Sequence, residues 1–366
     1  MTNPKKGSVV VLVGTRKGAF LLRSDARRKT WSVDGPHFKG LQVHHCILDP
    51  RGERPAVFAT TFSDWWGADI QRSYNWGRTW KRTKGGVRYQ KDAKLSVKCV
   101  WHVRPARPSE PGVLYAGVDP AGLFRSEDGG VTWHEVRGLN RHPTRSRWTP
   151  GAGGLTAHTI LLDPADAKRM FVAISAAGVF RTEDGGKTWR PRNKGTRADF
   201  LPNKFPEFGQ CVHKMVMAPG VPDLLYQQNH CGMYRSENAG DTWTDISRGL
   251  PSRFGFPIAM HPRDPRTIWV LPLVGAEFRA CREGCLAAYR STNGGRIWQK
   301  QTRGLPTRNA YVTILREAMS TDTCDSAGVY FGTQTGQVFF TRDEGKQWHL
   351  LADFLPPILS IEAAFI

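Results

Sequence analysis

Apolar positions along this chain fall into short runs of five to eight residues, each broken by glycine, proline or aspartate. No stretch keeps apolar residues at i, i+3, i+4 and i+7 for three turns, so the pattern predicts strands and an all-β class. One set of runs ends near a proline or alanine: Val43 to Pro50, Lys98 to Pro105, Ala157 to Pro164, Val212 to Pro219, Gly255 to Pro262, and Tyr311 to Ala318. Each is followed by a second run such as LYAGVD or MFVAISA, a short glycine-bearing hairpin, and a third run ending in Phe-Arg or Tyr-Arg. A polar octet that ends in tryptophan then closes the unit.

The octets are the regular feature. They occupy residues 24–31, 73–80, 126–133, 182–189, 236–243, 291–298 and 341–348, and their first residues lie 49, 53, 56, 54, 55 and 50 positions apart. Ser126 to Trp133 reads SEDGGVTW and Thr182 to Trp189 reads TEDGGKTW, whereas Ser24 to Trp31 reads SDARRKTW and lacks the glycine. A Ser or Thr followed by Asp or Asn and then Gly suits a tight turn bonded to its own backbone, and the tryptophan can bury apolar area against it. Four strands per repeat of this length is the mark of a β-propeller blade. The first repeat, Val9 to Trp31, has an octet but no opening run, while Ile358 to Ala363 is an opening run with no octet. Joining the two completes one blade and removes the exposed sheet edges of an open array. The expectation is one domain over residues 1–366, a seven-bladed β-propeller of four-stranded blades, with residues 358–366 paired to the N-terminal blade.

The octet resembles the Asp-box, or bacterial neuraminidase repeat, with the pattern S-x-D-x-G-x-T-W. Longer stretches, GQCVHKMVMAP, QQNHCGMYRSEN and RGLPTRNAYVTILREAM, look like a bacterial group of exo-α-sialidase-like or glycosyl hydrolase proteins with these repeats. That resemblance implies the turn between the third and fourth strands of each blade. It also places glycoside hydrolysis among the activities. The Arg-Ile-Pro motif of sialidases is absent, and two opposed carboxylates at a glycosidase spacing cannot be assigned.

Composition adds compartment and partners. With 52 Lys and Arg against 32 Asp and Glu, the formal net charge is +20, which favours anionic ligands or an acidic protein partner. No nucleic-acid motif accompanies it, so nucleic acid is not the expected partner. Basic residues crowd three connections, Lys81 to Lys98, Arg137 to Arg147 and Arg190 to Lys204. The arginine before each octet (Arg23, Arg72, Arg125, Arg181, Arg235, Arg290) recurs too regularly to be a substrate clamp and reads as structural. No signal peptide or membrane span is recognisable, and seven cysteines without framework spacing suit reduced thiols, so the expected compartment is cytoplasmic.

Candidate chemistry lies where propeller loops converge, at the channel mouth opposite the octets. Six positions before the terminal Pro stand His44, Cys99, His158 and His213 in four consecutive blades. Side by side round an axis they would offer three imidazoles and a thiol to one divalent transition metal, with zinc, copper and iron undecided. His45 and His102 fall at other offsets and read as packing residues or as supports behind the metal ligands. The hairpin Asn229-His230 faces the same mouth. Asp119, His230 and Tyr311 are the candidate catalytic groups, and Asp64, Trp65, Trp66, Asn229 and Asn309 the candidate substrate contacts. Glu317 and Glu362 sit at the far end of their strands. The leading expectation is an enzyme acting on a polar, anionic small molecule or glycan. The alternatives are a non-catalytic scaffold and a glycoside hydrolase.

Overall fold

The computed structural model describes residues 3–366. Seven four-stranded antiparallel sheets form a ring, and among the described residues helix is confined to a four-residue α-turn at Arg137–Asn140 and three short 3₁₀ turns. The innermost strands, in order from blade 2 to blade 7, are Gln42–Asp49, Cys99–Pro105, Thr156–Leu162, Val212–Ala218, Gly255–Met260 and Met319–Thr321. Blade 1 takes its innermost strand from the other end of the chain. Ile358–Phe365 pairs with Ser8–Thr15, from Val9 opposite Phe365 to Thr15 opposite Ile358, and closes the ring as expected. Innermost strands of neighbouring blades pack on one another right round the axis.

Between blades the core is apolar. Trp269, Tyr226, Tyr234, Phe124, Phe171 and Phe180 are fully buried where one sheet face meets the next, each contributing a large apolar area. The octets close the outer edge. In the third, the Ser126 hydroxyl donates to Asp128 at 2.9 Å, Gly130 N–H donates to Ser126 Oγ at 2.9 Å, and Thr132 N–H donates to Asp128 Oδ1 at 2.9 Å. Thr182 and Asp184 repeat the arrangement. Where the first octet has lost its glycine, Arg28 adopts a left-handed φ of 53°. Its guanidinium reaches Asp322 of blade 7 at 3.0 Å.

The arginine before the octet is an inter-blade fastener. Arg23 donates to Trp76 O, Arg72 to Gly129 O, Arg181 to Ala239 O and Arg235 to Gly294 O, each time the octet of the following blade. The crowded basic connections also spend much of their charge within the fold. Arg141 pairs with Asp92 at 2.7 Å, Arg145 lies over Tyr89 and Trp148, and Lys204 donates to two backbone carbonyls.

Blade 7 departs from the expected pattern. The run Tyr311 to Ala318 is not its innermost strand, which is only Met319–Thr321. Instead the segment crosses the channel, held by a parallel bridge between Glu317 and Ser360 and by Ile361 N–H donating to Glu317 O at 2.8 Å. Two charged residues, Arg316 and Glu317, are thereby carried into the interior.

Candidate functional site: the two ends of the channel

Each innermost strand of blades 2 to 5 carries a β-bulge near its start, and the bulge decides which side chains reach the axis. In the pairing registers the extra residue is His44 between Val43 and His45, Trp101 between Val100 and His102, His158 between Ala157 and Thr159, and His213 between Val212 and Lys214. A bulge turns the extra side chain out of the regular alternation. Counting back from proline therefore misassigned blade 3: the counterpart of His44 is Trp101. Cys99 lies two residues earlier, opposite Asp119, where burial raises its thiol well above the ordinary range. His45 and His102, set aside as packing residues, are equivalents of each other and come together on the axis.

The equal-offset imidazoles go to different partners. His158 has Nε2 at 2.9 Å from Val212 O of the next blade and Nδ1 at 3.0 Å from Thr159 Oγ1. His213 donates Nδ1–H to Gly255 O, again in the next blade, at 2.5 Å. His44 packs on Trp101 with ring centroids 5.1 Å apart and has no hydrogen-bond partner for Nδ1. Burial, with help from Arg16, pushes His44 down to about 4. Burial and Arg316 hold His158 and His213 well below the ordinary imidazole range. Among the described residues, two groups of His, Cys, Asp or Glu bring three ligand atoms within 4.8 Å of one another: Cys211 with His213 and His230, and His45 with His102 and Glu317. His44, His158 and Cys99 belong to neither.

Asp64 to Trp66, Asp119, and Asn229 with His230 lie at second-to-third-strand hairpins. Asp119 ends the second strand of blade 3, and its carboxyl is raised by burial, with Lys98 opposing. Asn229 is fully buried and accepts from Cys231 N–H at 3.1 Å, leaving its Nδ2 without a partner. His230 packs edge-on against Phe200, Phe254 and His213. On the blade 2 hairpin Asp64 is exposed, and Trp65 and Trp66 are 90% and 77% exposed. Tyr311 and Asn309 stand apart on the connection into blade 7, where Tyr311 meets Phe278 of a long blade 6 excursion. Sequence reasoning missed Arg316, a buried guanidinium that lies over Trp101 and donates to Thr156 Oγ1 at 3.3 Å.

Deeper on the axis is a charged girdle. His45 faces Glu362 at 3.3 Å and packs in a tilted arrangement on His102 with centroids 4.4 Å apart. His102 lies 3.5 Å from Glu317, which also contacts Lys214. Burial alone would push Glu317 up, but Lys214 and the two histidines outweigh it and hold the carboxyl well below its ordinary range. Burial, with the neighbouring His45, pushes His102 down to about 4. A cavity of about 430 Å³ opens from this girdle toward the end of the channel opposite the mouth, lined by His102, Arg104, Lys214, Met260, Ser320 and Glu362. Glu317 and Glu362 lie away from the mouth, where they meet the two histidines on the axis.

No family model matches the chain. It is similar to the oligoxyloglucan-reducing end-specific xyloglucanase of Emericella nidulans, with 22% identity over 227 residues, 52% of this chain and 26% of that protein. A probable enzyme of the same kind from Neosartorya fischeri is 27% identical over 183 residues, 48% of this chain and 19% of the other. The chain thus spans about a quarter or less of these relatives. Among solved structures, the GH74 enzyme of Niastella koreensis superposes with a TM-score of 0.63 at 17% identity, over 100% of this chain and 53% of that one. This last likeness concerns the fold. Among the described residues no helix is long and apolar enough to cross a membrane.

Proposed function

We propose that the protein is a glycan-acting propeller enzyme, a glycoside hydrolase whose substrate lies across the channel mouth. The observation that carries this reading is the pair of exposed indoles, Trp65 and Trp66, side by side on the blade 2 hairpin. An exposed indole face suits the apolar face of a sugar ring, and two together on an otherwise polar rim provide a platform. Asp119, with its carboxyl held up by burial, is the proton donor to a glycosidic oxygen in this reading. The exposed Asp64 supplies hydrogen bonds to hydroxyls, and His230 flanks the site. The partial likeness to xyloglucanases supports a β-linked glucan backbone as the substrate class.

The test is release of reducing ends from xyloglucan oligosaccharides, with binding followed by calorimetry. Wild-type protein should bind and cleave. Trp65→Ala with Trp66→Ala should weaken binding about tenfold or more, and Asp119→Asn should abolish cleavage while binding persists. Absence of both binding and cleavage would remove the proposal. A second reading, a scaffold for an acidic protein partner, is favoured by the net charge of +20; it requires capture that disappears at raised salt and survives loss of the two tryptophans.

A further inference from the structure

Cys211, His213 and His230 bring a thiol and two imidazoles together on blade 5, and the backbone explains how. Cys211 immediately precedes the innermost strand, and His230 N–H donates to Cys211 O at 2.9 Å, which sets the thiol and the hairpin imidazole opposite each other. The bulge between Val212 and Lys214 then turns His213 toward the same space. One ligand atom from each lies within 4.8 Å of the others.

We propose that Cys211, His213 and His230 form a transition-metal site of the Cys-His₂ type, open to the channel mouth on its fourth side.

Several features suit a soft metal ion such as zinc or copper there. His213 donates Nδ1–H to Gly255 O, which fixes the tautomer and leaves Nε2 as a lone-pair donor, the outer arrangement usual for metal-ligating histidines. The Cys211 thiol has a polar neighbour in Ser175 Oγ at 3.3 Å. Phe200, Phe254 and Phe256 wall the imidazoles, giving a shell that excludes water on one side. Cys211 and His230 remain partly exposed, so an ion has an entry path and a substrate atom could take the remaining position. Arg316 and Arg279 stand near these groups, and their charge disfavours an ion held by neutral ligands alone. A cysteine ligates such ions as thiolate, and the negative charge it brings offsets the neighbouring guanidiniums. The girdle formed by His45, His102 and Glu317 is the weaker candidate, because Lys214 already occupies its carboxylate.

The experiment uses the full chain without a histidine tag, stripped with chelator and titrated with cobalt(II) as a spectroscopic stand-in for zinc. One equivalent should bind, with a thiolate-to-cobalt charge-transfer band in the near ultraviolet. Cys211→Ser should remove the band, and His230→Ala should weaken binding about tenfold or more. Cys285→Ser, on a different hairpin, should change neither. Because His230 is on a surface hairpin, its variant should stay folded, which circular dichroism checks. Binding well below one equivalent, or one-equivalent binding unaltered by Cys211→Ser and His230→Ala, would overturn the site. The outcome is independent of the glycan reading: the double tryptophan variant should bind cobalt like wild type even if no oligosaccharide is cleaved.

Discussion

Replacing Glu317 with Gln tests whether the axial girdle holds the ring together. The carboxylate contacts Lys214 from blade 5 and lies 3.5 Å from His102 of blade 3. Both partners are almost wholly buried. Removing one member of a buried pair typically costs about 3–5 kcal/mol, because the other charge is left without compensation. Glu362, lining the same cavity, offers a partial substitute partner and draws the expectation to the lower end, about 3 kcal/mol. At about 2.1 cal/mol/K per residue, the 366 residues give a melting entropy of roughly 0.8 kcal/mol/K. Glu317→Gln should then melt about 4 °C lower. Lys214→Met added to Glu317→Gln should recover most of the loss, since the orphaned charge is gone. Calorimetry and urea melts on the wild type, both single variants and the double variant complete the cycle. A loss under about 1 kcal/mol, or no recovery in the double variant, would refute the reasoning.

Acidification should destabilise the fold through its buried imidazoles. His44 and His102 are pushed from 6.5 down to about 4, so they stay neutral when folded but take up protons when unfolded. Their contribution is complete above pH 6.5 and is lost as pH falls toward 4, at up to about 1.4 kcal/mol per pH unit for each. Urea midpoints at pH 7 and pH 5 measure this, and His44→Phe should make the decline shallower; an unchanged slope would contradict the assignment. Asp184→Ala removes the acceptor for Thr182 and Thr188 in one octet and should cost about 1–2 kcal/mol. A melting temperature equal to wild type would show that turn to be passive. A chain ending at Pro357 loses Ile358, Leu359 and Ile361 from the core, about 1.5–3 kcal/mol each, as well as its closing ladder. It should fail to fold as a monomer, and a peptide of residues 357–366 should restore compactness in size-exclusion chromatography. A stable truncated monomer would rule out closure as a requirement.

The octets made the blade count readable, because each is a local device whose residues bond to one another and owe little to the rest of the fold. Closure was readable for a related reason: Val9 to Trp31 lacked what Ile358 to Ala363 supplied. The site was harder. Aligning on the terminal proline put Cys99 beside His44, when the bulge before His102 makes Trp101 the equivalent residue. A bulge leaves no composition signal, so an offset of two residues went unseen. Counting from the residue after the bulge would have grouped His45, His102 and Lys214. Arg316 and Glu317 escaped because they sit in a run that looks like any other opening strand, YVTILREA, yet crosses the axis. Two adjacent charges in an otherwise apolar run were the available hint.

Residues 7 and 8 are tied directly to residue 366, Gly7 N–H donating to Ile366 O at 2.6 Å and Ile366 N–H to Ser8 O at 2.9 Å. A short peptide linker could therefore join them, and new ends could be opened in any octet without disturbing an innermost strand. The seam would move to another blade while the sequence order round the circle stayed the same. A permuted gene offers a way to bring a reporter beside whichever blade is under study.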